Sequence, residues 1–315
     1  MKRLIWTILL ILTIPACQLY PRPTTPLHAA PEAASPLPAE PSPQPDPTSA
    51  LYTQKPTFNI RYSEQKAADP RHLSLDVYPS GSSNSPVMVY VHGGSWRYGT
   101  KSNVDSKPEA FKQHGFVFVS VNYRLIPEVS MKEQVNDVAT AIAWVKNNIS
   151  EYGGDPRRIF IMGHSAGAHL VSLVATDSRY LESNGMQLND IRGVISLDTQ
   201  AYDIVKLMAE TTERLESTYT SAFTENPKLW EFFSPSTYVA AGKSIPPFFL
   251  VYSGQTPDRG ELAAAFANLL EEAGIHQEVH PALDKTHGEV NEIFGLSSDP
   301  VSEAAFQWLE NLLDQ

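Results

Sequence analysis

The sequence predicts an α/β domain: a mostly parallel central sheet with helices on both faces and one small cap-like insertion. Three observations predict it. Short runs rich in β-branched and aromatic residues alternate with helical patterns. The alternation breaks once, between Thr199 and Ile245. A Gly-x-Ser-x-Gly pentapeptide, Gly163 to Gly167, stands where an apolar run passes into a helix-like one. With 315 residues, 42% of them hydrophobic, the chain can fill one large core or two small ones.

The expected strands are Phe58–Tyr62, Leu73–Val77, Val87–Val91, Phe116–Val121, Ile159–Met162, Ile191–Leu197, Phe248–Tyr252 and His276–His280. The first of them precede any helix and can pair antiparallel at one edge. In Met131–Ile149, residues Val135, Val138, Ile142, Val145 and Ile149 recur at steps of three and four, forming one apolar stripe. In Glu261–Ala273, Leu262, Phe266, Leu269 and Leu270 form another, with Gly274 placed as a C-terminal cap. A last helix fits Ser302–Leu313, with Phe306, Leu309 and Leu313 inward. The segment 199–245 carries seven aromatic residues, among them Tyr202, Tyr219, Phe223 and Phe233. They fit either a pocket wall or core.

The amino end reads differently. Lys2 and Arg3 precede an uncharged run, Leu4–Ile14, which is short for a membrane span and suited to a signal-peptide core. It ends in Pro15-Ala16-Cys17, and Cys17 is the chain's single cysteine. A small residue directly before a cysteine at this place resembles the bacterial lipoprotein signal. That resemblance implies cleavage after residue 16, acylation at Cys17 and a membrane anchor. Gln18, where Asp would favour inner-membrane retention, points to the outer membrane. Residues 17–50 are rich in Pro, Ala, Ser and Thr and read as an extended tether. The folded domain is expected over 51–315.

Composition excludes some functions. A net charge of -11 argues against a broad basic footprint for nucleic acid. One cysteine allows neither an internal disulfide nor a cysteine-based metal cluster within the chain. No metalloprotease motif, phosphate loop or dinucleotide fingerprint occurs, so no cofactor and no metal is expected.

Two motifs carry chemistry. In Gly163-His164-Ser165-Ala166-Gly167, glycines two before and two after the serine remove β-carbons that would clash on a tight strand-to-helix turn. The turn lifts the Ser165 hydroxyl clear of the sheet. In His92-Gly93-Gly94-Ser95-Trp96, directly after a strand, paired glycines let backbone N–H groups face a cavity and meet a developing oxyanion. The expected donors are the N–H groups of Gly94, Ser95 and Ala166.

HGGSW, with NYRLIPE at Asn122–Glu128 and EYGGDPRRIFIMGHSAGAHL at Glu151–Leu170, resembles the α/β-hydrolase superfamily. The likeness is to its HGGxW carboxylesterase branch, which includes feruloyl-esterase-like and kynurenine-formamidase-like proteins, and it runs from about Leu73 to the C-terminus. It implies the α/β-hydrolase fold and a triad in the order serine, acid, histidine. His287, in a loop after the last strand, fits the base that a serine nucleophile needs. The superfamily usually carries its acid after the strand Phe248–Tyr252, where Asp258 is the available carboxylate. Asp258 also fits a helix N-cap. Asp198, at the end of Ile191–Leu197, is the rival, one strand earlier. The expected activity is hydrolysis of a small-molecule carboxylic ester. Amide or formamide hydrolysis by the same residues, or a weakly catalytic binding module, are the alternatives.

Overall fold

The computed structural model describes residues 54–210, 213–254 and 257–315. The signal run, Cys17 and the Pro-rich segment lie outside the described residues. Eight strands form one sheet: β1 (Thr57–Arg61), β2 (Ser74–Tyr78), β3 (Ser85–Val91), β4 (Val117–Val121), β5 (Gly154–His164), β6 (Ile191–Leu197), β7 (Phe248–Ser253) and β8 (Gln277–Ala282). Their order across the sheet is β1-β2-β4-β3-β5-β6-β7-β8. β2 pairs antiparallel with both β1 and β4, and every other pairing is parallel. Each run read as a strand becomes one, with ends that shift by a few residues.

The helices are α1 (Lys107–Gln113), α2 (Met131–Asn148), α3 (Ala166–Thr176), α4 (Ser178–Glu182), α5 (Ile204–Glu210), α6 (Glu213–Phe223), α7 (Pro227–Phe232), α8 (Pro257–Glu272), α9 (His287–Glu292) and α10 (Pro300–Leu313). The period-two geometry of a strand sends alternate side chains to opposite faces. Val87, Val89 and Val91 join one core with the stripes of α2, α3 and α8. Met88 and Tyr90 join a second core with Phe111 of α1 and Phe306 and Leu309 of α10. Strands covered on both faces have no polar side to show, which is why they read as continuous apolar runs.

The α2 stripe packs as its spacing predicts. Leu269 does not turn inward. It is 39% exposed, while Leu270 is fully buried, because the inward stripe runs through Leu262, Ala263, Phe266, Ala267 and Leu270 and leaves Leu269 at its edge. The same geometry buries Leu312 rather than Leu313. α1 has no sequence forecast: at seven residues with Pro108 near its start, it is too short to show a stripe.

Between β6 and β7 the chain makes three short helices, α5 to α7. Tyr202, Phe223 and Phe233 from this stretch are buried in the core, and Tyr219 lines the cavity described below. The aromatics therefore divide between both roles.

Arg124 ties the end of β4 to α2. Its Nε and Nη2 donate to the two carboxylate oxygens of Asp137 at 2.8 and 2.7 Å, with both side chains buried. Removing one member of a buried pair strands the other charge and typically costs about 3–5 kcal/mol. Asp137→Ala should thus lower unfolding stability in urea by about 3 kcal/mol. Glu64→Ala, which removes an exposed partner of Arg61, should change it by less than about 1 kcal/mol. Equal losses in the two variants would contradict this reading of the buried pair.

Candidate active site

The carboxyl ends of parallel strands are where an α/β sheet presents its loops to a ligand. Here β3 runs into His92, β5 into Ser165, β6 into Asp198, and β8 into the loop before His287.

Ser165 sits between β5 and α3 with φ 55°, a region that L-residues avoid. Close backbone approach demands the flanking glycines. A β-carbon on Gly163 would lie 2.3 Å from the Gly167 carbonyl group, and one on Gly167 would lie 2.1 Å from the Val91 carbonyl oxygen. The Ser165 N–H donates to the Leu197 carbonyl at 2.9 Å and fastens the turn to β6.

The Ser165 hydroxyl meets His287 Nε2 at 2.9 Å. On the far side of the ring, Nδ1 donates to Asp198 Oδ2 at 2.7 Å. Asp198, the rival acid, therefore holds the position that the resemblance gave to Asp258. Asp258 is exposed, as the second residue of α8. Pro257 takes the first position and makes the β7–α8 connection a helix start, where a carboxylate complements the helix dipole. The carboxylate at the imidazole thus comes from the end of β6, and Arg259, in the first turn of α8, faces it.

Asp198 is fully buried. Burial pushes its carboxyl up. The His287 hydrogen bond, the Arg259 charge and the Ser253 N–H outweigh that and hold it at about 2. Ser253 N–H donates to Oδ1 at 3.0 Å, and Arg259 Nη1 lies 3.0 Å from the same oxygen.

Three further histidines pack around this hydrogen-bond chain without lining the cavity described below. His164 Nε2 donates to the His287 carbonyl at 2.9 Å, and burial followed by the His287 charge lowers its pKa to about 3. His92 stacks on Tyr123 and donates to the Gly93 carbonyl, with burial lowering it to about 4. His169, also lowered to about 4 by burial, accepts from Trp96 Nε1 at 3.2 Å and donates to the Phe233 carbonyl at 2.9 Å. A neutral imidazole thereby joins α3, the HGGSW loop and the segment after α7.

That loop bends sharply. Gly94, Ser95 and Trp96 have φ of 123°, 51° and 60°, and the Gly94 carbonyl accepts the N–H groups of Arg97 and Tyr98. Gly93 approaches Ser165 so closely that a β-carbon there would lie 3.1 Å from the serine Cβ. Ser95 and Ala166, two of the three expected oxyanion donors, line one cavity with Ser165 and His287; Gly94 shapes the turn behind it. The cavity holds about 190 Å³ and is walled by Trp96, Thr199, Gln200, Ala201, Thr218, Tyr219 and Arg259. A more open cleft of about 720 Å³, near α2 and α4, contains no histidine. The hydrogen-bonded pair of Ser165 and His287, not size, distinguishes the smaller one. Among the described residues, no group of three His, Cys, Asp or Glu side chains could hold a metal ion.

Sequence reasoning left Arg259 out of the site. Its only signal was its place, one residue past Asp258 in the loop where an acid was sought.

Comparison with known proteins agrees with this architecture. The family model BD-FAE matches residues 75–258, more than half of the chain. The chain is 31% identical over 280 residues to esterase LipQ of Mycobacterium tuberculosis, a match covering 79% of this chain and 63% of LipQ. It is 28% identical over 255 residues to carboxylesterase NlhH of the same species, covering 76% and 77%. The first four curated relatives are spanned to between 51% and 63% of their own length. The crystal structure of esterase B from Lactobacillus rhamnosis superposes with a TM-score of 0.65 at 20% identity, over 85% of this chain and 89% of that one. The family model ends at residue 258, before His287; by sequence and by architecture, the chain belongs to the BD-FAE family and has the α/β-hydrolase fold.

Proposed function

We propose that this protein hydrolyses carboxylic esters through a covalent acyl-enzyme on Ser165. One observation carries the reading: the unbroken hydrogen-bond chain from the Ser165 hydroxyl through His287 to the Asp198 carboxylate, at 2.9 and 2.7 Å. The esterase and carboxylesterase names of LipQ and NlhH support the reaction class.

In this reading His287 Nε2 takes the serine proton as Oγ attacks the ester carbonyl. Asp198 keeps the other ring nitrogen protonated and offsets the charge of the imidazolium. The N–H groups of Ser95 and Ala166 meet the oxyanion, helped by the positive end of α3. His287 then protonates the departing alcohol, and water repeats the cycle on the acyl group. A cavity of about 190 Å³ between Trp96 and Tyr219 favours a small acyl group. Amide or formamide substrates would use the same atoms. With Asp198 in reach of the imidazole, a poorly placed acid no longer argues for a silent binding module.

We also propose that Cys17 carries the lipid anchor of an exported, outer-membrane lipoprotein. The support is its position directly after the signal-like run. Burial of acyl chains contributes about 0.8 kcal/mol per methylene, so two or more chains hold a protein stably at a membrane.

Two outcomes follow. Turnover of p-nitrophenyl butyrate should fall at least about 10³-fold in Ser165→Ala and about 10²- to 10⁴-fold in Asp198→Asn, with Asp258→Asn close to the unaltered protein. Full activity in Asp198→Asn with loss in Asp258→Asn would overturn the acid assignment. In cells fed labelled palmitate, Cys17→Ser should lose both the label and membrane association. A label that persists in that variant would refute the anchor.

A further inference from the structure

The Asp198 carboxylate has two oxygens with different partners. Oδ2 takes the His287 Nδ1–H at 2.7 Å. Oδ1 is occupied by the Ser253 N–H and by Arg259 Nη1, each at 3.0 Å. The same guanidinium nitrogen lies 3.1 Å from the Asp198 main-chain carbonyl oxygen and 3.2 Å from His287 Nδ1. Arg259 therefore grips the side chain and the backbone of one residue, at a point where that backbone has φ 53°. Its side chain is only 13% exposed, so the contact is weakly screened by water.

We propose that Arg259 is a positioning residue: it fills Oδ1, leaves Oδ2 to the imidazole, and supplies the countercharge that keeps the triad acid ionised at the end of β6. This rests on the ester-hydrolase reading and adds to it a determinant of the acid end of the working range. In the α/β-hydrolase pattern the β7–α8 loop brings an acid to the histidine. Here that stretch brings a cation to an acid delivered from the neighbouring strand.

The other groups around the pair give this role no substitute. His164, at the end of β5, is held neutral by burial. The Tyr202 hydroxyl bonds Ser196, and Tyr219 faces Arg259 from α6 as a neutral phenol. Lys107 reaches the Asn291 carbonyl of α9, Lys285 is committed to Asp299, and Glu289 caps Thr286. Losing a nearby opposite charge raises a carboxyl group's proton affinity by about one to three pH units. Arg259 Nη1 touches both the carboxylate and the imidazole, so the effect is read in the acid limb of the rate profile.

The test is the pH dependence of kcat and of KM for p-nitrophenyl butyrate with the full chain. Arg259→Gln should move the acid limb upward by about one unit or more, and lower kcat at neutral pH about tenfold or more with KM changing less. Arg259→Lys, which keeps a cation, should restore most of the limb position. A uniform loss at every pH with the limb unmoved would mean a purely structural role and overturn the proposal. Should Arg259→Gln not fold, Arg259→Lys is compared with Arg259→Met. Equal acid limbs in those two would overturn it as well. Loss of all activity in Ser165→Ala tests the hydrolase reading separately, so failure of one does not pass for failure of the other.

Discussion

Asp198 carries a carboxylate that water does not reach, so the protein must answer its charge or the charge cannot persist there. The penalty for burying such an ion is several kcal/mol, and it is offset only where geometry is good and the lone pairs are filled. This requirement organises the site. β6 must deliver the carboxylate, β7 must place the Ser253 N–H, α8 must start early enough for Arg259 to reach inward, and the start of α9 must present His287. Four elements, β6, β7, α8 and α9, are held in register by one oxygen pair.

The site also stores backbone strain. Ser95, Trp96, Ser165 and Asp198 all have positive φ, between 51° and 60°, and none is glycine. Each costs of order 1 kcal/mol, and such residues persist only where their surroundings over-determine them. The determinants are visible. Gly163 and Gly167 permit the serine turn, Trp96 is packed against Phe223 with centroids 4.8 Å apart, and Asp198 is gripped by Arg259. Chemistry on this fold depends on side chains that the sheet holds in postures they would leave in a free peptide. The His169 bridge between Trp96 and the Phe233 carbonyl extends that rigidity from the sheet to the insertion.

Much of this was legible in the sequence, for definite reasons. The sheet was readable because strands buried on both faces leave unbroken apolar runs such as Val87–Val91 and Phe248–Tyr252. Ser165 was readable because its turn imposes glycine at fixed offsets, and His287 because its place after the last strand fits the order of the triad. The acid was not fixed by sequence. Asp198 and Asp258 each end a strand or begin a helix, and only the three-dimensional start of α8 turns Asp258 outward. Arg259 was missed because a lone arginine at a helix start has no pattern; its meaning comes from a carboxylate sixty-one positions away. Helices α1 and α9, at seven and six residues, are too short to show a period.

The central claim is that Ser165 is made nucleophilic by the folded chain around it. Reaction of the protein with a fluorophosphonate, followed by intact mass and peptide mapping, tests this most directly. The account predicts one adduct per chain, on the peptide containing Gly163–Gly167 and on Ser165 itself, formed by the native protein and not after unfolding in urea. No adduct on native protein, or one mapped to another residue, would contradict it.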